Sequence, residues 1–322
     1  MVPLNYYILD TMFSLKNVKL ILNIKINTDK MIITQLNGGL GNQMFQYAAG
    51  RRLAYSLNTE VKLDISQFRQ DALREYHLSE FSIMENIASA TDLMRVRRPL
   101  GWNLKHPVEA LRSLMHRNAT IRYVKERHFH FDPKILALPD NVYLDGNWQS
   151  EKYFKDIDRI IREDFTFSEE PDHMNKQMAD KIRNCEAVSL HVRRGDYISN
   201  PATTAYHGIC SEEYYCRAIS MLENYVKNPY FFVFSDDPAW AKENLDTGYP
   251  TTIMDFNRSE KDFEDLRLMS ICQHHIITNS SFSWWGAWLC RNTEKIVVAP
   301  KQWFNKPDIK TQDLIPRSWF RL

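Results

Sequence analysis

The sequence predicts an α/β fold built as two doubly wound halves that face each other across a cleft. Three observations predict it. Strand-like runs alternate with helix-like runs along most of the chain, the pattern of parallel sheets covered by helices. A polar stretch at 167–175 interrupts that alternation once. The 322 residues also suffice for two domains of ordinary size. The division expected is an extension over 1–30, a first domain over 31–170 and a second over 171–322.

The elements follow in order. Residues 1–30 mix Leu15, Val18, Leu20, Ile21, Leu22 and Ile24 with Lys16, Lys19 and Lys25. Such mixing does not make the apolar stretch of a signal peptide, so they are read as an extension. Met31 to Leu36 reads as a strand, 37–42 as a turn, and Gln43 to Leu57 as a helix with Met44, Ala48 and Leu53 among its apolar positions. Val61 to Asp64 and 142–146 read as strands, and 151–163 as a helix. The run Ser168-Glu169-Glu170-Pro171-Asp172 reads as linker. Beyond it, strands are expected at 187–192, 230–235, 275–278 and 295–299. Helices are expected at 211–227, 238–245, 263–272 and 282–290.

Composition narrows the classes. Hydrophobic residues at 44% and charged residues at 25% describe a globular chain. A net charge of +1 gives no signal for nucleic acid. The five cysteines are odd in number and lack CxxC spacing, so a reducing, cytoplasmic setting is expected. No apolar run reaches the roughly 18–20 residues of a membrane-spanning helix. The segment 95–127 carries nine Lys or Arg against two acids. It reads first as a solvated face, with peripheral contact with an anionic membrane surface at the inner face as the functional alternative.

Three polar constellations carry chemistry. Gly38, Gly39 and Gly41 supply three of the ten glycines in one strand-to-helix turn. Such a turn lets a ligand approach the backbone at a helix N-terminus, or simply makes a tight turn. In Ser189-Leu190-His191-Val192-Arg193-Arg194-Gly195-Asp196, strand alternation puts His191 and Arg193 on one face. Ligands of open α/β sheets bind outside the carboxyl ends of strands, and a guanidinium fork suits phosphate oxygens. An ion pair, such as Arg194 with Asp196, is expected to account for one of the two arginines. Asn279 to Gly286 follows a strand and opens a helix, where Ser280 and Ser281 serve as cap or anion site. Asp236-Asp237-Pro238 reads as a helix start, with Asp237 as cap and Pro238 in the first turn, ahead of a metal site. Asp265 suits the donor groups of a guanine edge, or a solvated helix face.

Together these segments resemble the α-1,2-fucosyltransferases. Gly38 to Tyr47, the HxRRxD motif His191 to Asp196, and Thr278 to Trp285 carry the likeness. Tyr76 to Phe81 and Trp148 to Phe154 add to it. The resemblance implies a GT-B fold of two Rossmann-like domains and no metal or other cofactor. It implies GDP-fucose as donor and inversion at the sugar carbon. His191 and Asp265 would contact the guanosine, and Arg193 the β-phosphate. Ser281, Phe282 and Ser283 would line the diphosphate, and Asn42 would reach the reaction centre. Gly39, Gly41 and Arg194 are assigned to the same donor site. The expected acceptor is a galactose-containing glycan or lipid-linked oligosaccharide of a surface polysaccharide. A different nucleotide-sugar donor, or a non-catalytic nucleotide-sugar or glycan-binding protein, are the alternatives. Asp64, Asp145 and Asp196 stand as candidate bases.

Overall fold

The computed structural model describes residues 30–69, 74–97, 120–195, 201–257 and 261–322. The extension, Asp196 and most of the basic segment, residues 98–119, lie outside them.

Two parallel sheets form the frame. The first has the order β2-β1-β5-β4-β3, from β1 (Met31–Gln35), β2 (Glu60–Asp64), β3 (Val96–Arg97), β4 (Ile121–Lys125) and β5 (Val142–Asp145). The second has the order β11-β10-β9-β6-β7-β8. Its strands are β6 (Ala187–Val192), β7 (Tyr230–Ser235), β8 (Thr251–Met254), β9 (His274–Ile276), β10 (Val297–Ala299) and β11 (Phe320–Arg321). Every pairing is parallel. Strands covered on both faces read as continuous apolar runs, and all residues of β1 and β6 are buried. The expected α/β class is therefore the observed one.

Helices α1 (Leu40–Ser56), α2 (Ala90–Met94), α3 (Asp158–Asp164), α4 (His173–Arg183), α5 (Pro201–His207), α6 (Glu212–Glu223), α7 (Pro238–Asn244), α8 (Asp262–Ile271) and α9 (Ser281–Leu289) connect them. The stretch read as linker is partly ordered structure. Phe167 bridges Phe81, and Asp172 caps α4 by accepting from the Asn175 N–H at 3.0 Å. The helix expected over 151–163 is instead two 3₁₀ turns, Glu151–Tyr153 and Lys155–Ile157, followed by α3.

One apolar seam joins the two halves. Phe45 of α1 meets Trp284 and Trp285 of α9 at ring distances of 4.5 and 4.9 Å. Phe154 stacks on Trp285 at 5.3 Å. Trp303 and Trp319 belong to the same buried cluster. Each large aromatic buries about 150–250 Å², so α9 is anchored in the core around α1. Among the described residues no helix is long and apolar enough to cross a membrane.

Candidate active site

A cavity of about 860 Å³ lies between the carboxyl ends of the two sheets, within the size range of small-molecule sites, about 300–1,000 Å³. Four local features build it.

The first is the glycine turn after β1. Gly38 has φ +73°, the left-handed region that side chains disfavour. A Cβ on Gly41 would lie 2.4 Å from the Ser281 carbonyl carbon and 2.5 Å from the Phe282 nitrogen. Gly41 is therefore required by the close approach of α9 to α1. Its carbonyl also accepts from the Trp285 indole at 3.0 Å. The N-termini of α1 and α9 meet at the cavity wall, and each offers N–H groups without helical partners and the positive end of a helix dipole.

The second is the end of β6. His191 is 4% exposed, and its Nδ1 lies 3.1 Å from the Thr278 hydroxyl. Burial, aided by the nearby Arg193 charge, pushes its pKa down to about 3, so the ring is neutral at physiological pH. Arg193 lines the cavity, and Asp236 holds its Nε at 3.2 Å. Asp236 also accepts the Arg194 N–H at 2.7 Å, which fixes the turn that aims Arg193.

The third is a polar hydrogen-bond chain at α8 that runs from the half-buried Asp265 and Asn257 through the buried Asn175 to the exposed Asp172. Asp265 accepts from the Asn257 amide at 2.8 Å, and Asn257 exchanges hydrogen bonds with Asn175, which Asp172 accepts from. Desolvation raises the Asp265 pKa to about 7, against the opposing hydrogen bond from Asn257. A half-buried carboxyl at the cavity wall is poised to gain from donors supplied by a ligand.

The fourth joins the halves. The Asn42 carbonyl oxygen accepts from Gln149 at 2.8 Å and from the Ser281 hydroxyl at 2.7 Å. His77 Nδ1 lies 2.8 Å from Asp262 at the start of α8. The Asp262 hydrogen bond raises the His77 pKa, against partial burial.

The structure brings Gly39, Gly41, Asn42, His191, Arg193, Asp265, Ser281 and Phe282 to this one cavity. It does not bring Arg194 or Ser283 there. The Arg194 guanidinium lies 3.8 Å from the Trp240 ring centroid and 3.7 Å from Asp237. This is the ion-pair reading of the second arginine, with Asp237 as the partner. Ser283 is buried, and its hydroxyl donates to the Ser280 carbonyl at 3.4 Å. Asp237 caps α7, accepting from Trp240 N–H at 3.1 Å. Two candidate bases fall away. Asp64 is 1% exposed and accepts from the Tyr143 hydroxyl at 2.6 Å and Ser66 N–H at 3.0 Å. Asp145 accepts from the Tyr123 hydroxyl, and neither lines the cavity. No group of three or more His, Cys, Asp or Glu among the described residues is placed to share a metal ion.

Single-residue reasoning missed His77, Asp262, Asn257 and Gln149. Gln149 sits in the stretch from Trp148 to Phe154 and His77 in that from Tyr76 to Phe81, so the likeness marked both regions without assigning those residues a role. The His77–Asp262 pair spans 185 positions and leaves no local trace.

The profile of glycosyl transferase family 11 matches residues 104–322. An alpha-1,2-colitosyltransferase of Escherichia coli is 33% identical over 91% of this chain and 99% of its own. The O-antigen biosynthesis glycosyltransferase WbnK of Escherichia coli is 32% identical over 89% of this chain and 99% of its own. Among solved structures, that of a FUT1 mutant of Arabidopsis thaliana in complex with GDP superposes with a TM-score of 0.52 at 10% identity. The match covers 88% of this chain and 73% of that one, a likeness of fold alone.

Proposed function

Because the chain belongs to glycosyl transferase family 11, we propose that this glycosyltransferase moves L-fucose from GDP-β-L-fucose to a galactoside hydroxyl, forming an α-1,2 linkage with inversion. One observation carries the reading. Arg193 and the N-termini of α1 and α9 face a single cavity, at which Asn42 of one half contacts Ser281 of the other.

The chemistry asked of that cavity is charge stabilisation. As the sugar carbon becomes oxocarbenium-like, negative charge grows on the departing diphosphate. Donors already fixed in place stabilise it without reorganising. Arg193, oriented by Asp236, is assigned to the β-phosphate, and Ser281 with Phe282 to the diphosphate. His191 and Asp265 are assigned to the guanosine, where an ionised Asp265 would accept two N–H donors from the base edge. The Asn42 amide cannot take a proton at neutral pH. It is assigned to orienting the sugar or the acceptor hydroxyl. Glu75, Asp236, Asp262 and Asp265 are the acids that line the cavity among the described residues. Glu75 alone of these comes from the first half, and it replaces Asp64 and Asp145 as the candidate base. No metal is assigned to the reaction. The O-antigen biosynthesis role in the WbnK relative's name supports an acceptor in surface polysaccharide synthesis; a lipid-linked precursor met at the cytoplasmic face is part of the same proposal.

A second reading rests on the colitosyltransferase relative. Colitose is L-fucose without its 3-hydroxyl, so the same cavity would serve either donor. Released GDP or UDP, measured with GDP-fucose, GDP-colitose and a panel of UDP-sugars over a galactoside array, decides between them. Turnover with GDP-fucose at least tenfold above the others (about 1.4 kcal/mol) is expected. Preference for GDP-colitose or a UDP-sugar would overturn the fucose reading. GDP binding with no turnover on any acceptor would mark a binding protein.

A further inference from the structure

The cavity is not uniform along its length, and the sheet order explains why. His191 lies at the end of β6 and Arg193 just after it, Asp236 follows β7, and Asn257 and Asp265 lie beyond β8. On the other side of β6, two strands away and so about 10 Å across the sheet, Trp303 and Phe304 follow β10. In the facing sheet, the glycine turn follows β1, Asn147 and Gln149 follow β5, and Phe129 follows β4. Arg193 and the carboxyls of Asp236 and Asp265 therefore gather at one end, beside Phe282, and the rings of Phe129, Tyr206, Trp303 and Phe304 cluster at the other.

The aromatic end is made by both halves and is held rigidly. Phe129 meets Phe304 edge to face at 4.9 Å, and Tyr206 of α5 meets Phe304 at 5.1 Å. The Asn305 N–H donates to the Tyr206 carbonyl at 2.9 Å, and the Asn279 amide donates to the carbonyls of His207 and Trp303 at 2.9 and 3.3 Å. These bonds tie the end of α5 to the segment after β10. Trp303 and Phe304 are largely buried, whereas Phe129 and Tyr206 are half-buried and line the cavity. Asn147 lines it too. Its backbone N–H is held by Glu126 at 2.7 Å, and its side-chain amide has no protein partner among the described residues.

We propose that this aromatic lobe is the acceptor subsite, in which Phe129 and Tyr206 receive the apolar face of a galactopyranoside and Asn147 binds one of its hydroxyls. The inference rests on the reading of the opposite end as the nucleotide-sugar site. Galactose fits the lobe's chemistry because its axial 4-hydroxyl leaves carbons 3, 4 and 5 with one continuous C–H face. An aromatic wall with a single converging amide is the apolar-with-few-polar-groups lining that fixes such a ligand's orientation. Lys306 Nζ sits 5.1 Å from the Tyr206 ring centroid, and none of the lobe residues that line the cavity carries an arginine or lysine head group for a diphosphate.

The test separates the two ends. Binding of methyl β-D-galactopyranoside and of lactose is followed by saturation-transfer NMR on the GDP-loaded protein, and GDP binding is titrated separately. Phe129→Leu and Tyr206→Leu should each weaken galactoside binding by about five- to tenfold, the scale of one aromatic contact. They should leave GDP affinity within about twofold, and Phe129→Tyr, which keeps a ring, should bind like wild type. Unchanged galactoside affinity in both leucine variants overturns the inference, as does a parallel loss of GDP affinity. A Phe129→Tyr protein as weak as Phe129→Leu overturns it as well, because packing alone would then explain the loss. Wild-type protein that binds galactoside in a Phe129-dependent way but no GDP refutes the donor reading and supports the lobe.

Discussion

Replacing Gly41 by alanine sets two effects against each other, and their sizes decide the outcome. Within a helix, Gly→Ala is ordinarily favourable by about 0.5–1 kcal/mol. Here the added Cβ would sit 2.4 Å from the Ser281 carbonyl carbon and 2.5 Å from the Phe282 nitrogen, where ordinary contact begins at 3.4 Å. Both neighbours are backbone, so no side chain can swing aside, and α9 must withdraw from α1 by about 1 Å. Overpacking of this kind costs about 1–3 kcal/mol. Withdrawal also stretches the 3.0 Å Trp285–Gly41 bond and the 2.7 Å Ser281–Asn42 bond, at about 1 kcal/mol each. The clash outweighs the propensity gain, leaving a net loss of about 2–4 kcal/mol and a melting temperature lower by about 3–7 °C for a chain of this length. The effect on turnover is of similar size, since a 1 Å misplacement near reacting groups costs about a hundredfold. Thermal unfolding followed by circular dichroism, and GDP release at saturating donor, measure the two quantities. A variant that melts at or above the wild-type temperature with turnover within a fewfold would show that the contact of α1 with α9 does not require a glycine here.

Two further predictions concern titration. Asp265 is raised from 3.8 to about 7, so the folded protein binds a proton that the unfolded chain has released between those values, and stability falls as pH rises through that window. Asp265→Asn should remove this dependence. GDP binding to wild type near pH 6 should release protons as Asp265 ionises against the base, with a buffer-dependent calorimetric enthalpy that the Asn variant lacks. Equal proton release in both proteins would count against Asp265 at the base. His77 is raised by Asp262, so its pair with Asp262 contributes fully below about pH 6.5 and is lost as pH rises through the raised value. Because Asp262 is 34% exposed, the pair is worth less than about 1 kcal/mol. The melting difference between wild type and Asp262→Asn should therefore be small and larger at pH 5.5 than at pH 8.5. A difference that grows with pH would contradict the pairing.

What the sequence disclosed follows from how local each constraint is. Gly38 and Gly41 stood out because a positive φ disfavours most side chains and a backbone approach below contact distance leaves no room for a Cβ. His191 and Arg193 stood out because strand alternation and the end of β6 set their direction. The edges of the sheets were harder to see. Ile121–Lys125 alternates as β4 but lies in a stretch whose basic residues dominate the reading. The edge strands β3 and β11 are two residues each, and β8 is four. The helix α4 was hidden behind an acidic, proline-containing run until Asp172 was seen to cap it. Arg194 shows the limit in the site itself. Its place in the motif does not distinguish a phosphate ligand from a cation stacked on Trp240, a contact 46 positions away that only the fold creates.

The central claim is that the guanidinium of Arg193, aimed by Asp236, stabilises the leaving diphosphate. It is tested most directly by the rate of GDP release from GDP-fucose at saturating galactoside for wild type and Arg193→Ala, with GDP affinity measured alongside. Turnover is expected to be lower by about a hundredfold or more, with GDP affinity reduced far less. Turnover within a fewfold of wild type would contradict it.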